Sequence, residues 1–320
     1  MYNTTDFLQV KQDFEIYYNN EIKHKLEKLE NTRRKYLKIF ILLCVFVALW
    51  CTYLFINFEY FMNLPCGLEL ASCIGILIVC IPMFSYRLKT KSSILHLFAN
   101  FFGEFRYIYN DMLYDNILSK SLIADTHNIM IPDDGFSGEY KGVAVNLREY
   151  SLFEKNNNLD RAYTKTYTHN PLTNHKKMYR GIIFYAQMNK KFKGQTIIVK
   201  DNGFLNRFTT YKKLNRVSLE STEFEKKFEV YSDDQVEARY LLTTVMLEYL
   251  VELRSKFKQI ELSFFDNHVL INIKTKRNMF ECNSFFTTLI NKKRINKTLE
   301  ELYLLFSIVD TLRINQNKNY

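Results

Sequence analysis

The chain is dominated by what happens between Ile39 and Tyr86. Twenty consecutive uncharged residues, IFILLCVFVALWCTYLFINF, stand between Lys38 and Glu59. Seventeen more, LASCIGILIVCIPMFSY, stand between Glu69 and Arg87. A helix needs roughly 20 apolar residues to cross a hydrocarbon core of about 30 Å. The first run meets that requirement alone, and the second meets it if it begins near Cys66. The expectation is a two-helix transmembrane hairpin over residues 36–87, with spans of about 38–58 and 66–86. A cleaved signal peptide fits less well, since the first run starts far into the chain and is too long for an h-region.

Charge sets the expected orientation. Lys23, Lys25, Lys28, Arg33, Arg34, Lys35 and Lys38 precede the first run, and Arg87, Lys89 and Lys91 follow the second. The connection carries Glu59 and Glu69 and no Lys or Arg. Basic flanks stay cytoplasmic, so both termini are expected there. Most of the formal net charge of +10 falls after residue 91. A basic face held at a membrane favours anionic lipid head groups as partners, alongside the bilayer itself. The charge is diffuse rather than striped, which argues against nucleic acid. Five of the six cysteines lie in or beside the apolar runs, where they read as small apolar residues.

Around the hairpin the reading is α+β. Residues 1–35 form a cytoplasmic segment with a helical apolar stripe that includes Phe14, Ile22, Leu26 and Leu29. It is expected to pack on the membrane, on a second copy or, by default, on its own domain. Residues 88–320 form the cytoplasmic domain. Apolar spacings of three and four predict a helix over Ile94–Leu118. Texture changes at Ile131, where Pro132, Asp133, Asp134 and Gly135 read as a turn opening a strand region. Further strands are expected at Tyr179–Met188, Gln195–Val199 and Leu214–Leu219. The basic segment Lys155–Lys177 reads as a long loop. A single helix is expected over Ser232–Phe257, with Ser232 as cap, Gln235 completing the box and Asp233 and Asp234 in the first turn. A hairpin follows, Gln259–Phe265 and His268–Lys274 about Asp266-Asn267, and a terminal helix spans Lys297–Leu312. The expected fold is a mainly antiparallel sheet with helices covering one face.

Three stretches, FSGEYKGVAV (136–145), YRGIIFYAQMNKKFKGQTIIV (179–199) and VSLESTEFEKKFEVYSDDQVEARYLLT (217–243), together resemble the bacterial family called domain of unknown function 3137. The resemblance covers roughly residues 90–290. It implies two spans ahead of a cytoplasmic α+β domain in the bacterial inner membrane. Phe228, Val230, Tyr231, Asp234, Ala238, Arg239 and Tyr240 would lie in the family's signature. The family brings no established activity, ligand or catalytic residue.

The residues themselves offer no catalytic, cofactor-binding or metal site. FSGEYKG and KFKG are too poor in glycine for a phosphate loop, the six histidines are scattered, and no nucleophile elbow occurs. Arg239 is singled out instead. It falls inside an apolar helical pattern, where an always-charged guanidinium needs a partner. Asp234, Glu220 or Glu223 could supply it, as a structural ion pair or as part of an anion site. The resulting expectation is a membrane-anchored, non-enzymatic interaction module. The alternatives are a membrane-tethered enzyme of unrecognised type and a module that binds anionic lipid or another ligand.

Overall fold

The computed structural model describes residues 4–56, 79–86, 97–109, 115–123, 129–153, 177–189, 191–201, 214–275 and 285–317. They fall into two compact units. One comprises residues 1–9, 99–280 and 296–320; the other comprises residues 10–98 and 281–295.

The first unit is built on a nine-stranded sheet. In chain order its strands are β1 (Phe105–Tyr109), β2 (Ile129–Tyr140), β3 (Val143–Phe153), β4 (Lys177–Gln187), β5 (Thr196–Lys200), β6 (Asn215–Val217), β7 (Phe228–Ser232), β8 (Ile260–Phe265) and β9 (His268–Thr275). Their spatial order is β1-β2-β3-β4-β9-β8-β5-β7-β6. Every pairing is antiparallel. The β2–β3 hairpin turns at Lys141-Gly142, both at positive φ, and β8–β9 turns at Asp266-Asn267 with Asp266 at positive φ. These are the backbone conformations that two-residue hairpins require.

Both faces of the central strands are buried, which is why YRGIIFYAQM and HVLINI read as near-continuous apolar runs rather than strict alternation. On one face lie α8 (Thr244–Phe257) and α9 (Lys292–Asn317, of which Asn296 onward belongs to this unit). Phe306 of α9 packs its ring against Phe102, Phe105, Tyr140 and Phe184 at centroid distances of 4.9–6.1 Å. The Tyr249 hydroxyl of α8 donates to the Leu304 carbonyl at 2.9 Å. On the other face Leu118 of α5 (Asp115–Ser121) joins Ile183, Tyr185, Ile197, Tyr231 and Leu270. Helical cover is therefore present on both faces, not on one.

Three expected elements are corrected. Of Ile94–Leu118, residues 97–102 are helical (α4), but the helix stops at Gly103 and β1 follows. A Cβ on Gly138 would collide with the Glu104 carbonyl, so a bare backbone is what lets β1 lie against β2 here. Pro132–Gly135 does not open the strand region. It forms an irregularity inside β2, where the register shifts. Ser232–Phe257 is not one helix. After the short α6 (Thr222–Glu225), residues 228–232 are β7, α7 covers Gln235–Leu241, and α8 restarts after Thr243, whose hydroxyl accepts from the Met246 amide. The β4, β5, β6, β8 and β9 segments fall within one or two residues of where the sequence places them, and α9 contains the expected Lys297–Leu312 but runs five residues further at each end. Residues 155–176 of the expected loop and most of the second apolar run lie outside the described residues, and Lys177 begins β4.

The second unit is organised by one long helix. α1 (Thr4–Tyr17) passes through a π-helical turn at Tyr18–Ile22 into α2 (Lys23–Ile56) without a break. Phe14, Tyr18, Ile22, Leu26 and Glu30 form its buried stripe. Spacing by fours drifts about 40° per step around an α-helix, and the extra residue of a π-turn takes up part of that drift. Phe14 stacks on Phe98 at 5.7 Å, and the Tyr17 hydroxyl donates to the Leu97 carbonyl. In the first unit, Phe7 lies 5.2 Å from the Tyr303 ring of α9. From Ile39 to Ile56 no residue of α2 is buried, and Leu42, Phe46, Leu49, Phe55 and Ile56 are each more than 60% exposed. This is the described helix that is long and apolar enough to cross a membrane. A further helix, α3, covers residues 79–86 at the end of the second apolar run.

Candidate functional sites

The structure does not assemble the ion pair expected at Arg239. Arg239 is exposed on α7 and donates to the backbone and side-chain oxygens of Gln235, one turn earlier. Asp234 is the N-cap of α7 and accepts from the Val236 and Glu237 amides at 3.0 and 2.9 Å. Ser232, expected to be the cap, instead bonds Thr196 at the end of the sheet. Glu223 pairs with Lys227 at 2.9 Å, and Glu220 is exposed. The helix break at Leu242–Thr243 explains the difference. A continuous helix would have carried a wide apolar arc, but the short α7 leaves Val236 and Tyr240 exposed as well. An arginine of these helices that does lie over the core is Arg254 of α8. Its guanidinium sits 4.9 Å from the Phe228 ring and donates to the Lys227 carbonyl. Burial pushes its pKa down, partly offset by Asp201.

A polar cluster lies where β1, β2 and β3 meet. Asp133, Asp134 and Glu149 each bring a carboxylate oxygen to within 4.8 Å of the others. Asp134 and Glu149 are buried, and the Tyr107 hydroxyl donates to Asp134. Burial and then the Asp134 bond raise the Tyr107 pKa well above its ordinary value. Three carboxylates so placed offer oxygen ligands suited to a hard cation. The sequence reading took Asp133-Asp134 as turn chemistry. Their approach to Glu149 depends on the β2 irregularity, which spacing along the chain does not reveal.

A second buried polar group was missed altogether. Glu30 and Arg33 sit one turn apart on α2, just before the apolar stretch, and both are buried. Arg33 forms a two-pronged pair with Glu30, Nε to Oε2 at 2.9 Å and Nη2 to Oε1 at 2.7 Å. Its Nη1 donates to the Phe285 carbonyl at 2.9 Å. Glu30 also accepts from the Leu289 amide at 3.0 Å and from Arg34 at 3.2 Å. Burial alone would raise the Glu30 pKa. The Arg33, Leu289 and Arg34 hydrogen bonds and the Arg33 charge outweigh that and hold it at about 2. Above this clamp Phe285 packs between Phe40 of α2 and Tyr86 of α3, at 5.6 and 5.5 Å. The sequence signal was present: Glu30 continues the stripe of fours, with arginines three and four residues on.

Residues 177–314 match the family model described as Protein of unknown function (DUF3137). Over β4 to α9, then, the chain is similar to this family, as the sequence resemblance implies. The stretches 179–199 and 217–243 lie inside the match, and 136–145 lies before it. A search of curated proteins finds no match. Among solved structures, the crystal structure of the mycobacterial trehalose monomycolate transport factor A is similar at 10% identity and a TM-score of 0.35, covering 71% of this chain and 94% of that one.

Proposed function

We propose that this protein is a bacterial inner-membrane protein, anchored by a two-span hairpin with both termini cytoplasmic, that presents its α+β domain as a non-enzymatic interaction module. The supporting observation is the exposed apolar stretch of α2. Eighteen residues, Ile39–Ile56, have no buried member and no charge. A surface like that is unfavourable in water by roughly 25 cal/mol for each Å² of apolar area and is at home in lipid. The basic turn before it, with exposed Arg34, Lys35 and Lys38, favours the cytoplasmic side.

Two measurements test this. A reporter active only outside the cytoplasm is expected to be silent when fused after Tyr320 and active when placed within Met62–Leu64; activity at Tyr320 would reverse the orientation. Chemical crosslinking of the intact protein in its own membranes should capture a protein partner on the sheet domain. Recovery of the chain alone, whatever the crosslinker length, would contradict the module reading.

A further inference from the structure

We infer that residues 285–294 form an additional, interfacial contact with the bilayer, specific for anionic lipid, beside the point where α2 enters it. The inference rests on the anchoring of α2 proposed above. The clamp fixes this segment to α2 at two backbone positions, Phe285 O on Arg33 and Leu289 N on Glu30. Phe285 and Leu289 then point inward and are buried, while Phe286 and Ile290 point outward at 60% and 39% exposure. The Phe286 ring lies 5.7 Å from Phe40, the second residue of the apolar stretch. It therefore sits level with Ile39, Ile41 and Leu42, which are themselves exposed. Whatever surrounds those residues surrounds Phe286 too, so the surface continues the one that α2 presents to lipid.

Charge points the same way. Lys292, Lys293 and Arg294 follow at once and are all exposed. They occupy the first turn of α9, where the helix dipole disfavours cations, so helix stability does not account for them. They follow the exposed Ile290 in the chain as Lys35 and Lys38 precede Ile39, so exposed basic residues flank both apolar segments. An aromatic and aliphatic pair entering the head-group boundary beside basic residues is the arrangement of interfacial anchors, which bury about 5–10 Å deep and respond to anionic lipid.

The chain has one tryptophan, Trp50, which makes the test direct. Trp50 lies ten residues beyond Phe40, about 15 Å further along the helix and near the middle of a core of about 30 Å. The full chain would be reconstituted in phosphatidylcholine–phosphatidylglycerol vesicles containing lipid brominated either near the ester or near the methyl end of its acyl chains. The native chain is expected to be quenched more by the methyl-end label. A Trp50→Phe, Phe286→Trp chain is expected to be quenched more by the ester-end label, as is Trp50→Phe, Ile290→Trp. Replacing Lys292→Gln and Lys293→Gln should lower quenching at 286 to its level in pure phosphatidylcholine. Quenching at 50 with none at 286 or 290 would overturn the inference while leaving the anchor intact. No quenching at 50 would overturn the anchor and this contact with it. Equal quenching at 286 with and without phosphatidylglycerol would overturn the anionic specificity.

Discussion

Glu30 is a carboxylate with almost no contact with water, and its stability contribution comes from the donors gathered on it. Arg33 supplies two, and Leu289 and Arg34 one each. Removing one partner of a buried pair strands the other, at a cost typically about 3–5 kcal/mol. Arg33→Ala in the full-length chain in detergent micelles is therefore expected to lower the thermal midpoint clearly. A loss below about 1 kcal/mol, the range of exposed pairs, would contradict the clamp. The same carboxylate gives a pH dependence. Its folded pKa of about 2 lies below the unfolded value, so its contribution is fully present above roughly pH 4.5 and is lost as pH falls toward 2. Unfolding midpoints followed from pH 6 to pH 2.5 should fall more in the native chain than in Glu30→Gln. Parallel curves would rule this out. Arg239 gives the opposite expectation. It is exposed and bonded to Gln235, so Arg239→Met should change stability by less than about 1 kcal/mol. The sequence marked Arg239 as needing a partner because it lay in an apolar pattern. It passed over Glu30 and Arg33, whose backbone partners Leu289 and Phe285 are 259 and 252 residues away along the chain. Local spacing shows where a charge sits on a helix but not what folds back onto it.

At the scale of elements, β4, β5, β8 and β9 were more legible than helix limits, while β1 fell inside an expected helix and β7 was not expected as a strand. Alternation and turn residues located β8 and β9 to within a residue or two, because a two-residue turn fixes register by itself. Helix periodicity ran on through Leu242 because nothing in the apolar spacing records a break. The decisive residues are the caps, Asp234 for α7 and Thr243 for α8. Asp234→Ala is expected to cost about 1–2 kcal/mol in equilibrium unfolding. Gln235→Ala, which would matter most in a box closed by Ser232, should cost less than about 0.5 kcal/mol, since its exposed side chain makes only long contacts, to the Arg216 carbonyl and from Arg239, both at 3.4 Å. The reverse ranking would restore the single-helix reading. Gly181 is a tighter constraint. Tyr150 lies across it from the neighbouring strand and bonds Asn272 at 2.5 Å. A methyl there would collide with the ring, so the aromatic residue and the glycine act as one unit.

At the scale of the molecule, the α+β class follows from the alternation of strand-like and helix-like apolar patterns, whereas helical cover on the second sheet face, from α5, was not expected. The acidic cluster and the clamp do not follow either, because each gathers residues from distant segments. The chain is threaded so that residues 281–295 belong with the α2 unit and Asn296 onward with the sheet. A fragment of residues 92–320 would separate Phe285 and Leu289 from Arg33, Phe40 and Glu30. It is expected to be less soluble and less cooperative in unfolding than a clean domain would be. The anchor and the lipid contact at residues 285–294 both require α2 to lie in lipid. Membranes from cells expressing the full chain, washed in alkaline carbonate, test this most directly. The protein should remain in the membrane pellet, and its release into the supernatant would contradict the account.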